Sequence, residues 1–277
     1  MQSTVTKTIK RRSNLFAWLV TFAAIIAVGW SARASEQSLG RPDFVTGYTL
    51  AAACLLLLLL GIRKRLIALP IGRVSFWART HNYIGVFGLA VFCFHIRWPI
   101  LGFMEQALAA IFLVISGSGL LGWYLNRVTP KKLLVTGKDI LYDDIPREQQ
   151  LVSERAYALA IEVAGKLESA TLAEYYSAKL AGYFQKQRSL AYAIAPSGRV
   201  RRNHIDQLVQ LDRYLDADGR SARARMCDLV QSKDDLDFAK AMQQRLRYWV
   251  VVHVSCLWLF IFLATAHVWL AHRFHGS

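Results

Sequence analysis

The sequence predicts an all-α membrane protein with five spanning helices and a helical insertion between the fourth and fifth. Three observations carry that prediction. The 277 residues are 54% hydrophobic, and the apolar ones fall into long blocks instead of the amphipathic patterns of a soluble domain. Each block is bounded by polar flanks. Lys and Arg concentrate on alternate flanks.

The blocks are residues 15–32, 44–61, 82–101, 103–125 and 248–271. Each is about long enough to cross ~30 Å of hydrocarbon at ~1.5 Å rise per residue. Inside a bilayer only a helix satisfies its own backbone, so each is expected to be a helix. The first block also has the anatomy of a secretory signal, with a basic start and Ala32-Arg33-Ala34 as a cleavage site. A retained helix is the expectation, and cleavage of residues 1–34 would leave the orientation unchanged.

Orientation follows from the flanks. Lys7, Lys10, Arg11 and Arg12 precede the first span, and Arg63, Lys64, Arg65, Arg73 and Arg79 separate the second from the third. Arg127, Lys131 and Lys132 follow the fourth, whereas the opposite flanks hold only Arg33, Arg41, Arg97 and Arg273. The N-terminus and the long 127–247 segment are therefore expected in the cytoplasm and the C-terminus outside, with a bacterial inner membrane as the expected location. The chain reads as residues 1–126 with four spans, 127–247 as a cytoplasmic helical domain, and 248–277 as the fifth span and outer tail.

The net charge of +15 is uneven. Segment 127–247 holds 16 of the 19 acidic residues against 21 Lys and Arg, so most of the excess lies in the membrane part. It reads as topology and affinity for anionic lipid, and no nucleic-acid motif accompanies it. The four cysteines, Cys54, Cys93, Cys227 and Cys256, form no C-x-x-C pair, which removes zinc, iron–sulfur and covalent haem attachment spacings. The insertion shows no glycine-rich phosphate loop. Leu151, Ala158, Ile161, Val163 and Leu167 lie at roughly helical spacing, and "DDLDFAKAMQQRLRYW" is predicted to run as helix into the fifth span. A docking platform for a partner is the preferred reading of this segment, with a structural spacer as the alternative.

The chemistry lies in two matched stretches, "HNYIGVFGLAVFCFH" at 81–95 and "HVSCLWLFIFLATAH" at 253–267. Each places two histidines fourteen residues apart, close to four helical turns, so both rings share a face about 21 Å apart along the axis. The third and fifth spans run in the same direction in this topology. Side by side, they set His81 level with His253 toward the cytoplasm and His95 level with His267 toward the outside. Gly85 and Gly88 follow His81 on the same face at offsets of 4 and 7 and leave room for something flat. A haem with two axial imidazoles meets every requirement: paired ligands, an apolar slot, and ring nitrogens that are coordinated. Two levels give two non-covalent b haems. Structural or proton-relay histidines are the alternative for one pair, and a metal transporter would want carboxylates at membrane depth.

The two H-x13-H helices resemble the di-haem arrangement of bc-complex cytochrome b and of ferric reductase/NADPH oxidase membrane domains. The second family is closer, with a cytoplasmic N-terminus and its pairs on the third and fifth helices. The resemblance covers residues 44–126 and 248–272, and it implies that His81, His95, His253 and His267 are the axial ligands. A sixth helix and a flavin and NADPH module do not follow in these residues, and the cytoplasmic loop is enlarged. Arg79, Arg97 and Arg273 stand near the histidines, where haem propionates want cations. The small-residue run "SGSGLLG" at 116–122 is expected to pack helices, and His272, His275 and His204 read as solvated.

The function expected is transmembrane electron transfer by a di-haem b-type subunit of a redox complex. Its partners would be lipid and a cytochrome c, iron–sulfur or flavin subunit. One alternative is a quinol-oxidising or quinone-reducing cytochrome b anchor; another is a haem-free anchor or channel.

Overall fold

The computed structural model describes residues 2–63, 74–96, 99–100, 102–135, 140–165 and 170–274. Every regular element among them is helical. The chain divides into two compact units, residues 1–123 with 253–277 and residues 124–252.

The first unit holds α1 (Gln2–Gln37), α2 (Pro42–Arg63), α3 (Val74–His95), most of α4 (Phe103–Val135) and the end of α10 (Ala217–Phe274). Helices α1, α2 and α3 pack against one another. The tight turn between α1 and α2 is built from Ser38-Leu39-Gly40-Arg41. The Gly40 amide donates to the Ser35 carbonyl at 2.7 Å, and a Cβ there would meet Ser35 Oγ at 2.6 Å. Only glycine fits so close an approach. Pro42 then opens α2, where its missing amide costs nothing.

Among the described residues four helices contain stretches long and apolar enough to cross a membrane: Asn14–Gln37 of α1, Pro42–Leu59 of α2, Phe103–Leu133 of α4, and α10. That is the make-up of an integral membrane protein. Large side chains such as Phe16, Phe22 and Trp30 stand exposed on α1, a surface suited to lipid. Helix α3 differs from the expected third span of 82–101. It starts two turns earlier, with Ser75, Arg79, Thr80, His81 and Asn82 in its first half, and ends at His95. Pro99 lies four residues on, and a proline disfavours helix in the residue before it.

The second unit has its own core. Helix α5 (Ile145–Ala164) contributes Ile145, Val152, Ala156, Leu159, Ala160 and Val163, packed with Leu172, Tyr176, Leu180, Leu208, Met226 and Val230. Of the sequence-predicted stripe only Val163 is buried. Ile161 and Ala158 are exposed, Leu151 is half-buried, and Leu167 lies outside the described residues. The buried face is rotated because α5 turns Ala156 and Ala160 inward, into the core that also holds Tyr176 and Phe184.

Around this core run α6 (Ala170–Tyr175), a π-turn over Tyr176–Leu180, α7 (Ala181–Gln185), α8 (Leu190–Ile194), α9 (Arg199–Gln210) and a 3-10 turn over Leu211–Tyr214. Helix α10 passes without a break from this unit into the last apolar stretch, as "DDLDFAKAMQQRLRYW" led us to expect.

A buried charge network that no sequence pattern marks lies in this unit. Lys233, Asp234 and Asp237 on α10 are all buried. Arg188 donates from Nε to Asp237 Oδ2 at 2.9 Å and from a terminal nitrogen to Asp234 Oδ1 at 3.1 Å. Lys233 pairs with Asp237, Gln149 Nε2 donates to Asp237 Oδ1 at 2.6 Å, and Arg201 reaches Asp234 at 3.5 Å. Burial, then Asp234, pushes the Tyr192 phenol up to about 12. His204, expected on the surface, is half-buried against Tyr183 with its Nδ1 3.1 Å from the Tyr175 hydroxyl. Burial and then the charges of Arg188 and Lys179 pull its pKa below the usual histidine value.

Candidate functional site: the histidines of the first unit

His95 closes α3, and its ring lies 6.5 Å from that of His267 on α10, centroid to centroid, with the planes at 88°. Both side chains are half-buried. Their meeting joins helices whose histidines are 172 residues apart in sequence. Thr46 Oγ1 of α2 lies 3.0 Å from His95 Nδ1. Gly47 lies directly against the same ring, for a Cβ at that position would meet His95 Cε1 at 3.1 Å.

His253 has a matching environment on α4. Ser118 Oγ is 2.6 Å from His253 Nδ1, and a Cβ on Gly119 would lie 3.9 Å from His253 Cε1. The "SGSGLLG" run therefore does more than let helices approach, because its central serine binds a predicted ligand. His81 is half-buried on α3, one turn before Gly85. A Cβ on Gly85 would meet no atom within 4 Å, while one on Gly88 would touch Ala53 of α2 at 4.0 Å. Open space thus borders α3 at Gly85, and Gly88 serves the α2–α3 contact.

An aromatic stack links three of these helices. Phe92 of α3 stacks on Phe112 of α4 at 4.4 Å, and Phe112 meets Phe260 of α10 at 5.7 Å. Phe260 lies midway in sequence between His253 and His267, so the stack ties together the helices that carry the histidines.

The flanking residues are distributed as follows. Arg79 donates to Asn14 Oδ1 of α1 at 3.3 Å and to the Ser75 carbonyl. Arg97 and His275 lie outside the described residues. His272, expected in the solvated tail, bonds the Tyr48 hydroxyl at 2.7 Å and the Val268 carbonyl at 2.8 Å, so His267 and not His272 is the ring beside His95.

Thr46 and Gly47 escaped the sequence reading, since nothing in a lone Thr-Gly on another span marks it as a neighbour of His95. The one available signal was their depth, near the outer end of the second span. Among the described residues no three His, Cys, Asp or Glu side chains converge as a metal cluster. A bis-imidazole haem asks for just two protein atoms, because the macrocycle supplies the other donors. No protein-family model matches this chain, and neither curated proteins nor solved structures give a match.

Proposed function

We propose that the protein is a di-haem b-type cytochrome that carries electrons across a membrane as a subunit of a larger redox assembly. In this reading α3 is a fifth span, N-terminus and second unit are cytoplasmic, and Ser277 is outside. His81 and His253 hold the cytoplasmic haem, and His95 and His267 the outer one.

The observation that carries it is the approach of His95 to His267. Two imidazoles bound through nitrogen to one metal, each about 2.0 Å away, have ring centres roughly 6 Å apart. The separation of 6.5 Å fits that donor set. Open space at Gly85 suits a planar macrocycle beside α3. Bound haem supplies one-electron ferric/ferrous cycling. The chain supplies axial imidazoles, apolar walls that keep water out, and cations for the propionates, for which Arg79, Arg97 and Arg273 are the candidates. Electrons enter and leave through redox proteins docked on either side, and the second unit offers a platform for one of them.

A pyridine haemochrome assay on the purified protein tests the reading. Two non-covalent b haems per chain are expected; a protein without haem, or with covalently attached haem, refutes it.

The glycines beside His95 and His253 give a finer contrast. Gly47→Ala pushes a methyl to 3.1 Å from the His95 ring and must displace it, whereas Gly119→Ala meets His253 at an ordinary 3.9 Å. Outer haem content is expected to fall several-fold in Gly47→Ala, with Gly119→Ala close to wild type. Equal occupancy in both variants would contradict this placement of Gly47.

A further inference from the structure

We infer that Thr46 and Ser118 are positioning residues that hold His95 and His253 as Nδ1–H tautomers and keep the reduction potential of the haem each ligates low. The inference rests on the haem reading above.

The Thr46 hydroxyl lies 3.0 Å from the Pro42 carbonyl, 3.2 Å from the Asp43 carbonyl and 3.0 Å from His95 Nδ1. Carbonyl oxygens only accept, so the one arrangement that satisfies these contacts sends the hydroxyl proton to the α2 backbone. The oxygen then accepts from Nδ1–H of His95. Ser118 repeats the device on α4. Its Oγ donates to the Ile115 carbonyl at 2.8 Å and accepts from His253 Nδ1 at 2.6 Å. Serine and threonine commonly bond back to their own helix, which here commits the proton and leaves an oxygen lone pair for a neighbour.

A Nδ1–H tautomer carries its lone pair on Nε2, the atom that would then be free to ligate. The hydrogen bond at Nδ1 also raises the basicity of the ring and fixes its orientation. A more basic axial ligand stabilises ferric over ferrous iron, so each hydroxyl lowers the potential of its haem. The two devices sit on different helices at different levels. Their effects are therefore separable, one haem each.

Spectroscopic redox titration of the haem-loaded protein tests this, with Thr46→Val, Thr46→Ser and Ser118→Ala. Thr46→Val, which keeps the side-chain shape and loses the acceptor, is expected to raise the potential of one haem and leave the other in place. Ser118→Ala is expected to raise the other. Thr46→Ser should restore the wild-type value, which a role in packing alone would not produce. In the full chain prepared without haem, nitrogen-15 NMR should find His95 and His253 as Nδ1–H tautomers, a reading that stands even where a variant folds poorly. Two bound haems with unshifted potentials in both variants, or Nε2–H tautomers, overturn this inference and leave the haem reading intact. A wild-type protein that binds no haem overturns the reading itself.

Discussion

His95→Ala is expected to reduce the protein from two haems per chain to one, and His267→Ala is expected to lose the same haem. The two rings lie 6.5 Å apart, so in the di-haem reading either truncation would remove one of two axial nitrogens from a single site. An apolar slot without its ligand retains only the burial of the macrocycle. His81→Ala and His253→Ala should form a second pair that loses the other haem. In the di-haem reading the inner pair would share a level as well, because the histidines of α3 and α10 have the same fourteen-residue spacing and His95 already meets His267. Crossed pairing would ask one iron to bridge about 21 Å along the helices. Haemochrome content and the split of the reduced α-band identify which haem each variant keeps. If His95→Ala and His253→Ala removed the same haem, α3 and α10 would not run parallel, and the topology would have to be redrawn.

Spacing is what made these residues legible. A repeat of fourteen on two apolar segments is a one-dimensional pattern, and helix geometry turns it into a shared face without further information. The long apolar blocks were readable for the same reason, since a bilayer imposes length and apolarity on contiguous residues. Other features depend on which helices become neighbours, and one sequence does not encode that openly. Thr46 reaches His95 across 49 residues and Ser118 reaches His253 across 135. Helix α3 begins before the 82–101 block because Ser75, Arg79 and Thr80 lower the local apolarity although the helix runs through them. In α5 the expected stripe was rotated because several alanines permit more than one buried face, and the choice falls to Tyr176 and Phe184, which pack there. Asp234 and Asp237 are buried although acidic residues mostly stay in water, and nothing local in the sequence marks them. Their partner Arg188 comes from a distant loop.

That network carries the largest effect on stability. Asp237→Ala is expected to destabilise the second unit by about 3–5 kcal/mol, the usual cost of breaking a buried ion pair by removing one partner. Asp237 is 3% exposed and Lys233 2%, so the truncation leaves the ammonium enclosed without its carboxylate. Arg188 loses its bond to Oδ2, and Gln149 loses the acceptor it meets at 2.6 Å. Domains hold together by about 5–15 kcal/mol in all, so a loss of this size moves a unit close to unfolding. Asp143→Ala is the control. Its bridge to Arg247 spans 3.2 Å with both side chains exposed, and such pairs contribute about 0–1 kcal/mol. Hydrogen exchange of α5 and α9 in the full chain, read in detergent or lipid, should show protection lost in Asp237→Ala and kept in Asp143→Ala. Adding Lys233→Met to Asp237→Ala should recover part of the protection, because it removes the stranded charge and fills the space with an apolar chain. Equal protection in the Asp237 and Asp143 variants would mean that water reaches Lys233, and the network would then count as surface charge.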